Sequence, residues 1–252
     1  MKILISGAAG HMGREVAAQA GPAGIEIAGG VDVAGVQADF PVWADFTQAP
    51  EVDCIVDFSR PASLDGLLAY AVQNRIPAVL ATTGYDEVQL AAIDEAAKVI
   101  PVFRSANMSV GIALLRALSR KAAQVLGDDF DVEIVEAHHN RKADAPSGTA
   151  LMLADAINDA AGGKYEYVYD RTQHRQKRGD AELGISAVRG GGIVGEHEVL
   201  FCGPEEVVRL SHSAGSRGVF ADGAIQAALY LQGREPGYYN MNDLIKEKLS
   251  CE

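Results

Sequence analysis

The sequence predicts an α/β protein: a doubly wound parallel sheet over residues 1–108, then a second α+β domain with an open mixed sheet over residues 109–217. Residues 218–252 are expected to pack back on the first domain. Three observations predict this. Short apolar runs alternate with helical patterns up to Arg104. A glycine-rich turn, Gly7 to Gly13, joins the first apolar run to the first helical pattern. Beyond residue 180, apolar runs follow one another with only glycine and proline punctuation between them.

Composition narrows the classes. The 252 residues suffice for one large or two modest domains, and 48% hydrophobic content supplies an ordinary core. A net charge of −12 argues against nonspecific attraction to nucleic acid or an anionic membrane. Cys54, Cys202 and Cys251 are odd in number and widely spaced, which fits a reducing compartment rather than a disulfide framework. The N-terminal apolar run stops at Gly7, too short for a signal peptide, and no run reaches the ~20 residues of a membrane helix. A soluble cytoplasmic protein is expected.

The first domain reads in order as follows. Residues 2–6 form a buried-type strand, the glycine turn follows, and Glu15 to Ala20 is helical. Strand, glycine turn and helix are the context of a dinucleotide phosphate loop, in which the backbone approaches a pyrophosphate at the helix start. The spacing is G-x-x-G-x-x-G, and taken alone it could be a plain turn. A strand over Ile25 to Val31 ends at Asp32, where a carboxylate meets ribose hydroxyls in this kind of sheet. Val33 follows where an arginine would pair with a 2′-phosphate, so NADH is favoured over NADPH. Further strands are expected at Val52 to Asp57, Pro77 to Ala81 and Pro101 to Arg104, with helices from Pro61 to Asn74 and Asp86 to Val99. Ligands bind at the carboxyl ends of such parallel strands. The loops Gly7–Gly13, Asp32, Phe58–Arg60, Ala81–Gly84 and Ser105–Met108 all fall there and form one cofactor cleft.

In the second domain, Val110 to Leu126 is a long amphipathic helix stopped by Gly127. Phe130 to Glu136 alternates Val132 and Ile134 with Asp131 and Glu133, the mark of a strand with one wet face. A helix over 147–161 ends at Gly162-Gly163. Strands are expected over Tyr165 to Asp170, Ile185 to Arg189, Glu198 to Phe201 and Val207 to His212. The basic stretch Arg171 to Gly179 reads as a solvated loop or lid near an anionic ligand, not a nucleic-acid site. Gly218 to Leu231 is helical, and Tyr238 to Met241 leads to a short terminal helix.

Chemistry is concentrated in the stretch from Glu136 to Ala150, EAHHNRKADAPSGTA. His138 and His139 can exchange protons near neutral pH. Lys142 is a cation with movable donors. Ser147 or Asp144 could cap the helix that follows, leaving its first N–H groups to attract an anion. These parts are the inventory for reducing or protonating a small carboxylate substrate. Each has a bland reading alone: most single histidines are surface or core residues, and most Ser-Gly-Thr runs only cap helices. Adjacent histidines on a strand face opposite ways, and no Cys or spaced His completes a zinc set, so no metal is expected.

Residues 136–150 match without a break the signature E-x-H-H-x-x-K-x-D-A-P-S-G-T-A. The stretches at 7–14, 57–61, 82–84, 107–111 and 193–197 are similar too, so the chain resembles the dihydrodipicolinate (4-hydroxy-tetrahydrodipicolinate) reductases along essentially its whole length. The resemblance implies NAD(P)H-dependent reduction of 4-hydroxy-tetrahydrodipicolinate to tetrahydrodipicolinate with loss of water, in lysine and diaminopimelate synthesis. It puts His138 at the acid–base position, Lys142 at the proton-donor position, and His139, Ser147, Gly148 and Thr149 at the substrate. It puts Gly7, Ala8, Ala9, Gly10, His11, Met12, Asp32, Ala81, Thr82, Thr83, Ser105, Ala106, Asn107 and Met108 at the cofactor. It also implies a small dicarboxylate substrate and a homotetramer joined through the second domain. Two departures, His11 where the family is often basic and Val33 where some members have Arg, argue against a strong NADPH preference.

Three rivals are weighed. Another two-domain NAD(P)-dependent oxidoreductase of an amino acid or semialdehyde would share the first domain and differ in residues 136–150. An idle nucleotide-sensing module would lack the ionisable residues of that stretch, which are all present. A hydrolase using His138 and His139 would need bound metal.

Overall fold

The computed structural model describes residues 1–34, 38–169, 171–172 and 175–250. Asp170, Gln173, His174 and Cys251, named above singly or within a stretch, lie outside the described residues.

The first strands and helices are β1 (Lys2–Ser6), α1 (His11–Ala20), β2 (Glu26–Val31), β3 (Val42–Trp43), β4 (Cys54–Asp57), α2 (Leu64–Asn74), β5 (Ala78–Leu80), α3 (Glu87–Ala97) and β6 (Pro101–Arg104). Then come α4 (Val110–Leu126), β7 (Asp131–His138), α5 (Gly148–Ala160), β8 (Glu166–Val168), β9 (Glu182–Arg189), β10 (Glu196–Cys202) and β11 (Val207–Ser213). The chain closes with α6 (Gly218–Leu231), β12 (Gly237–Tyr239) and α7 (Met241–Leu249). It divides into two compact units, one made of residues up to Val110 with those from Arg217 on, the other of Gly111–Ser216.

In the first unit the strands run parallel in the order β12-β6-β5-β4-β1-β2-β3. Strands buried on both faces read as unbroken apolar runs, as Ile3-Leu4-Ile5 and Cys54-Ile55-Val56 do here. Leu4, Ile55, Leu67, Leu80, Ile93 and Val102 share one core, each fully buried side chain contributing about 1.5–3 kcal/mol. Asp86 opens α3 with a capping box: its side chain accepts from Gln89 N while the Gln89 side chain accepts from Asp86 N. The α6 helix packs beside α1 and on β4, β5 and β6, and the Gln19 side chain donates to Gly218 O at 3.0 Å.

In the second unit the order is β11-β10-β7-β9-β8. The β10 strand is antiparallel to β7 and β11, while β9 is parallel to β7 and β8, giving a mixed sheet. Ile134, Val199, Phe201, Leu183 and Leu153 form its core.

Several expectations are corrected. The first helix starts at His11 rather than Glu15, with Gly10 as its extended N-cap and Gly13, the last glycine of the turn, already inside it. Pro61 opens a 3₁₀ turn, Pro61–Ser63, and the α-helix proper begins at Leu64. The β7 strand runs two residues past Glu136, so His138 ends a strand instead of sitting in the loop; backbone pairing with β9 and β10 carries it on. The β3 and β12 strands were not foreseen. Each is at an edge of the sheet and only two or three residues long, too short for a periodic signal.

Candidate active site

The second unit's site grows from the alternation of β7. Val132, Ile134, Glu136 and His138 are all buried, so the inner face that begins apolar ends in a carboxylate and an imidazole. Register brings two more polar residues to that end. His197 of β10 pairs with Glu136, and Arg189 of β9 pairs with His138.

Glu136 is fully buried. It accepts from His138 Nδ1 at 2.6 Å, Arg189 Nη1 and Nη2 at 2.8 Å each, and Ser147 N at 3.0 Å. Burial opposes its charge, but the hydrogen bonds from Arg189, His138 and Ser147 outweigh burial and hold the carboxyl below its usual range. Sequence reasoning missed this role. The signal was available: continuing the alternation from Ile134 puts Glu136 on the dry face, where a carboxylate needs partners.

Beyond His138 the chain turns through residues 139–147. Lys142 N donates to His139 O at 3.1 Å, and Lys142 Nζ pairs with Asp144 at 2.8 Å. That bond holds the exposed Asp144 carboxyl below the usual range. The Ala145–Pro146 peptide is cis. Of the two capping candidates it is Ser147 that caps α5, its Oγ accepting from Ala150 N at 3.1 Å. Gly148 and Thr149 open the first helical turn, at the positive end of the helix dipole. The structure thus brings His138, Lys142, Ser147, Gly148 and Thr149 to one end of this unit's sheet, with His139 directly after the strand.

His197 was not foreseen as part of the site. Its Nε2 lies 3.1 Å from Ser147 Oγ and its ring meets that of His138 edge-on, centroids 5.2 Å apart. Burial, with the His138 charge second, pushes its pKa down to about 4. A neutral ring accepting the Ser147 hydroxyl proton at Nε2 gives that hydroxyl a partner. The unfolded chain binds a proton below about 6.5 that the fold refuses until about 4, so stability falls as pH drops through that interval. The full difference corresponds to about 3 kcal/mol. His197→Gln should therefore lose less stability on acidification than the wild type in denaturant titrations; parallel losses would show that the ring carries no such linkage.

The first unit holds a cavity of about 550 Å³ lined by Gly7, Ala9, Gly10, Asp32, Ser59 and Arg60, among others. The backbone here admits no side chain. Gly7 has φ +82°, and a Cβ on it would lie 2.6 Å from Phe58 O; one on Gly13 would lie 2.3 Å from Gly7 O. Asp32 Oδ2 accepts from Ala9 N at 3.0 Å and Oδ1 from Ala34 N at 2.9 Å, so the carboxylate ties β2's end to the glycine loop. Such a cradle and a cavity of this size fit a dinucleotide's phosphates and sugar. Ala8 is buried under the loop, while His11 is exposed and Met12 half-buried at the start of α1. Ala81, Thr82 and Thr83 follow β5, and Ser105, Ala106, Asn107 and Met108 follow β6, at the same strand ends but outside the lining of this cavity. Ser105 Oγ donates to Asn107 O at 2.7 Å and Asn107 Oδ1 accepts from Ser109 N at 2.9 Å, which fixes that turn.

Known proteins resemble the chain throughout. The family profile described as dihydrodipicolinate reductase, N-terminus, matches residues 1–108, and that described as dihydrodipicolinate reductase, C-terminus, matches residues 111–245. A 4-hydroxy-tetrahydrodipicolinate reductase of Caldanaerobacter subterraneus subsp. tengcongensis is 50% identical over 250 residues, covering 98% of this chain and 99% of the relative. One from Clostridium tetani is 44% identical, covering 97% of both. Among solved structures, the dipicolinate-bound dihydrodipicolinate reductase of Paenisporosarcina sp. TG-14 superposes with a TM-score of 0.81 at 23% identity, over 97% of this chain and 99% of that one. The diaminopimelate dehydrogenase of C. glutamicum, at TM-score 0.57 and 17% identity over 100% of this chain and 96% of that one, shares the fold more loosely. Matched by both profiles and by relatives of this identity along its length, the chain belongs to the dihydrodipicolinate reductase family.

Proposed function

We propose that this protein is a 4-hydroxy-tetrahydrodipicolinate reductase, forming tetrahydrodipicolinate with loss of water in the cytoplasmic synthesis of diaminopimelate and lysine. The observation that carries the reading is the Glu136–Ala150 segment, which sets an imidazole, a lysine and a helix start at one end of one sheet. NADH or NADPH, held by residues 7–12, Asp32, 81–83 and 105–108, supplies the hydride when bound. The chain's own residues do the rest. The first turn of α5 at Gly148 and Thr149, with His139, binds a substrate carboxylate, and Ser147, its own donors taken by Glu136 and His197, holds that turn in place as its cap. Lys142 exchanges Asp144 for substrate and, with His138, supplies the proton that the ring carbon beside the reduced one requires.

Generating the substrate in place from aspartate semialdehyde and pyruvate with the preceding synthase tests the reading. Nicotinamide oxidation, followed by absorbance, should require both enzymes. Its absence with either cofactor would move the 136–150 loop to another substrate and favour the rival oxidoreductase reading. NADH should outperform NADPH, because Val33 follows Asp32 where an arginine would pair with a 2′-phosphate. Asp32→Ala should chiefly raise the KM for NADH; an unchanged KM would remove Asp32 from the ribose site.

A homotetramer through the second unit fits the outer face of its sheet, where Val135, Val188 and Val207 are exposed across three strands. Light scattering should return the mass of four chains, and a monomer would overturn this assignment.

A further inference from the structure

We propose that Glu136, clamped by Arg189, is the positioning residue of the site: it fixes the His138 imidazole with Nδ1 protonated and Nε2 presented to substrate, and ties that ring to the loop carrying Lys142. This rests on the acid–base role proposed above for His138. A carboxylate offers about four lone-pair sites, and all four here face donors: His138 Nδ1, both Arg189 Nη atoms and Ser147 N. Glu136 therefore has no acceptor capacity left for substrate and no exposed surface to reach it. It acts through its neighbours.

Two consequences follow from who those neighbours are. With Arg189 neutralising the carboxylate bidentately, Glu136 stays ionised and Nδ1 must be the donor in its 2.6 Å contact. That leaves Nε2 as the working nitrogen. It lies beside Gly195, where a Cβ would come within 3.1 Å, so the residue next to Nε2 carries no side chain to block it. The same clamp also holds the loop. Arg189 Nη2 donates to Asp144 O at 2.6 Å, two residues after Lys142, and the Ser147 N bond seats the start of α5. One ion pair, between the buried Glu136 and the part-exposed Arg189, thus sets the imidazole's tautomer, the lysine's loop and the helix start together.

Nitrogen-15 NMR of the full-length, histidine-labelled protein tests this, with His138 assigned by its loss in His138→Gln. The wild type, at a pH where the ring is neutral, should show the Nδ1–H tautomer. Glu136→Gln replaces an acceptor oxygen with a donor facing Arg189 or His138, and should shift the ring toward Nε2–H. Its kcat, counted per cofactor-binding site, should fall about 100-fold, with NADH affinity unchanged. Arg189→Lys keeps the charge but loses the fork, and should cost about tenfold in kcat; it stands in if Glu136→Gln fails to fold. A purely structural role would lower the melting temperature and the number of binding sites while leaving tautomer and kcat per site alone. An Nε2–H wild type, or full kcat per site in the folded variants, overturns the proposal. Absence of reductase activity in the wild type would instead overturn the proposed function, and the wild-type and Glu136→Gln spectra would still decide what Glu136 does to the ring.

Discussion

Lys142→Ala is expected to lower kcat by about 100- to 1,000-fold while leaving the affinity for NADH within about twofold. The reason is where the side chain stands. Lys142 lies in the turn after β7, in the unit that carries Glu136, His138 and α5, whereas the proposed nucleotide residues belong to the other unit. Its amino group is largely shielded and held at 2.8 Å by Asp144, a partner exposed enough to release it when a substrate carboxylate arrives. Removing it deletes a positioned proton donor and a cation for the substrate together, so kcat should fall and the substrate's KM rise. Steady-state kinetics with a fluorescence titration of NADH separate these effects. Equal losses of kcat and NADH affinity would contradict the role. His138→Gln should resemble it in kcat, because two groups that act on one proton are not independent.

The second large effect concerns stability. Gly223→Ala should destabilise the first unit by about 3 kcal/mol or more, at the upper end of overpacking costs. A Cβ at Gly223 would lie 1.6 Å from Met108 O and 2.8 Å from its carbonyl carbon. Those atoms are backbone and cannot swing aside, so α6 must move off the turn that holds Ser105 to Met108. Because that turn is a proposed cofactor contact, NADH affinity should weaken along with the melting temperature. A variant melting within about 1 °C of wild type would show that α6 has room the structure denies, given about 2–4 °C per kcal/mol at this size. Gly148→Ala, where a Cβ would meet nothing within 4 Å, is the control and should change stability little.

How much was legible follows from which physical signals are local. The parallel sheet could be read because strands buried on both faces spell apolar runs, and the glycine turn because its tight backbone excludes side chains at Gly7 and Gly13. The 136–150 segment could be read because its chemistry is contiguous, and Ser147's cap because capping spans only three residues. Glu136 was named in the motif but not understood. Its partner Arg189 lies 53 positions away, and His197 lies 50 positions from the Ser147 hydroxyl it meets; both reach the site only through the pairing of β7 with β9 and β10.

The sequence by itself therefore determined the doubly wound sheet, the mixed second sheet, the family and the chemical inventory, since periodicity, glycine geometry and motif spacing are properties of neighbouring residues. Tertiary structure alone decided the rest: that His138 ends a strand, that a buried carboxylate held by an arginine grips it, that burial keeps His197 neutral, and that β12 adds an edge strand to the first sheet. Each depends on register and burial between segments distant in the chain, and no local pattern encodes those.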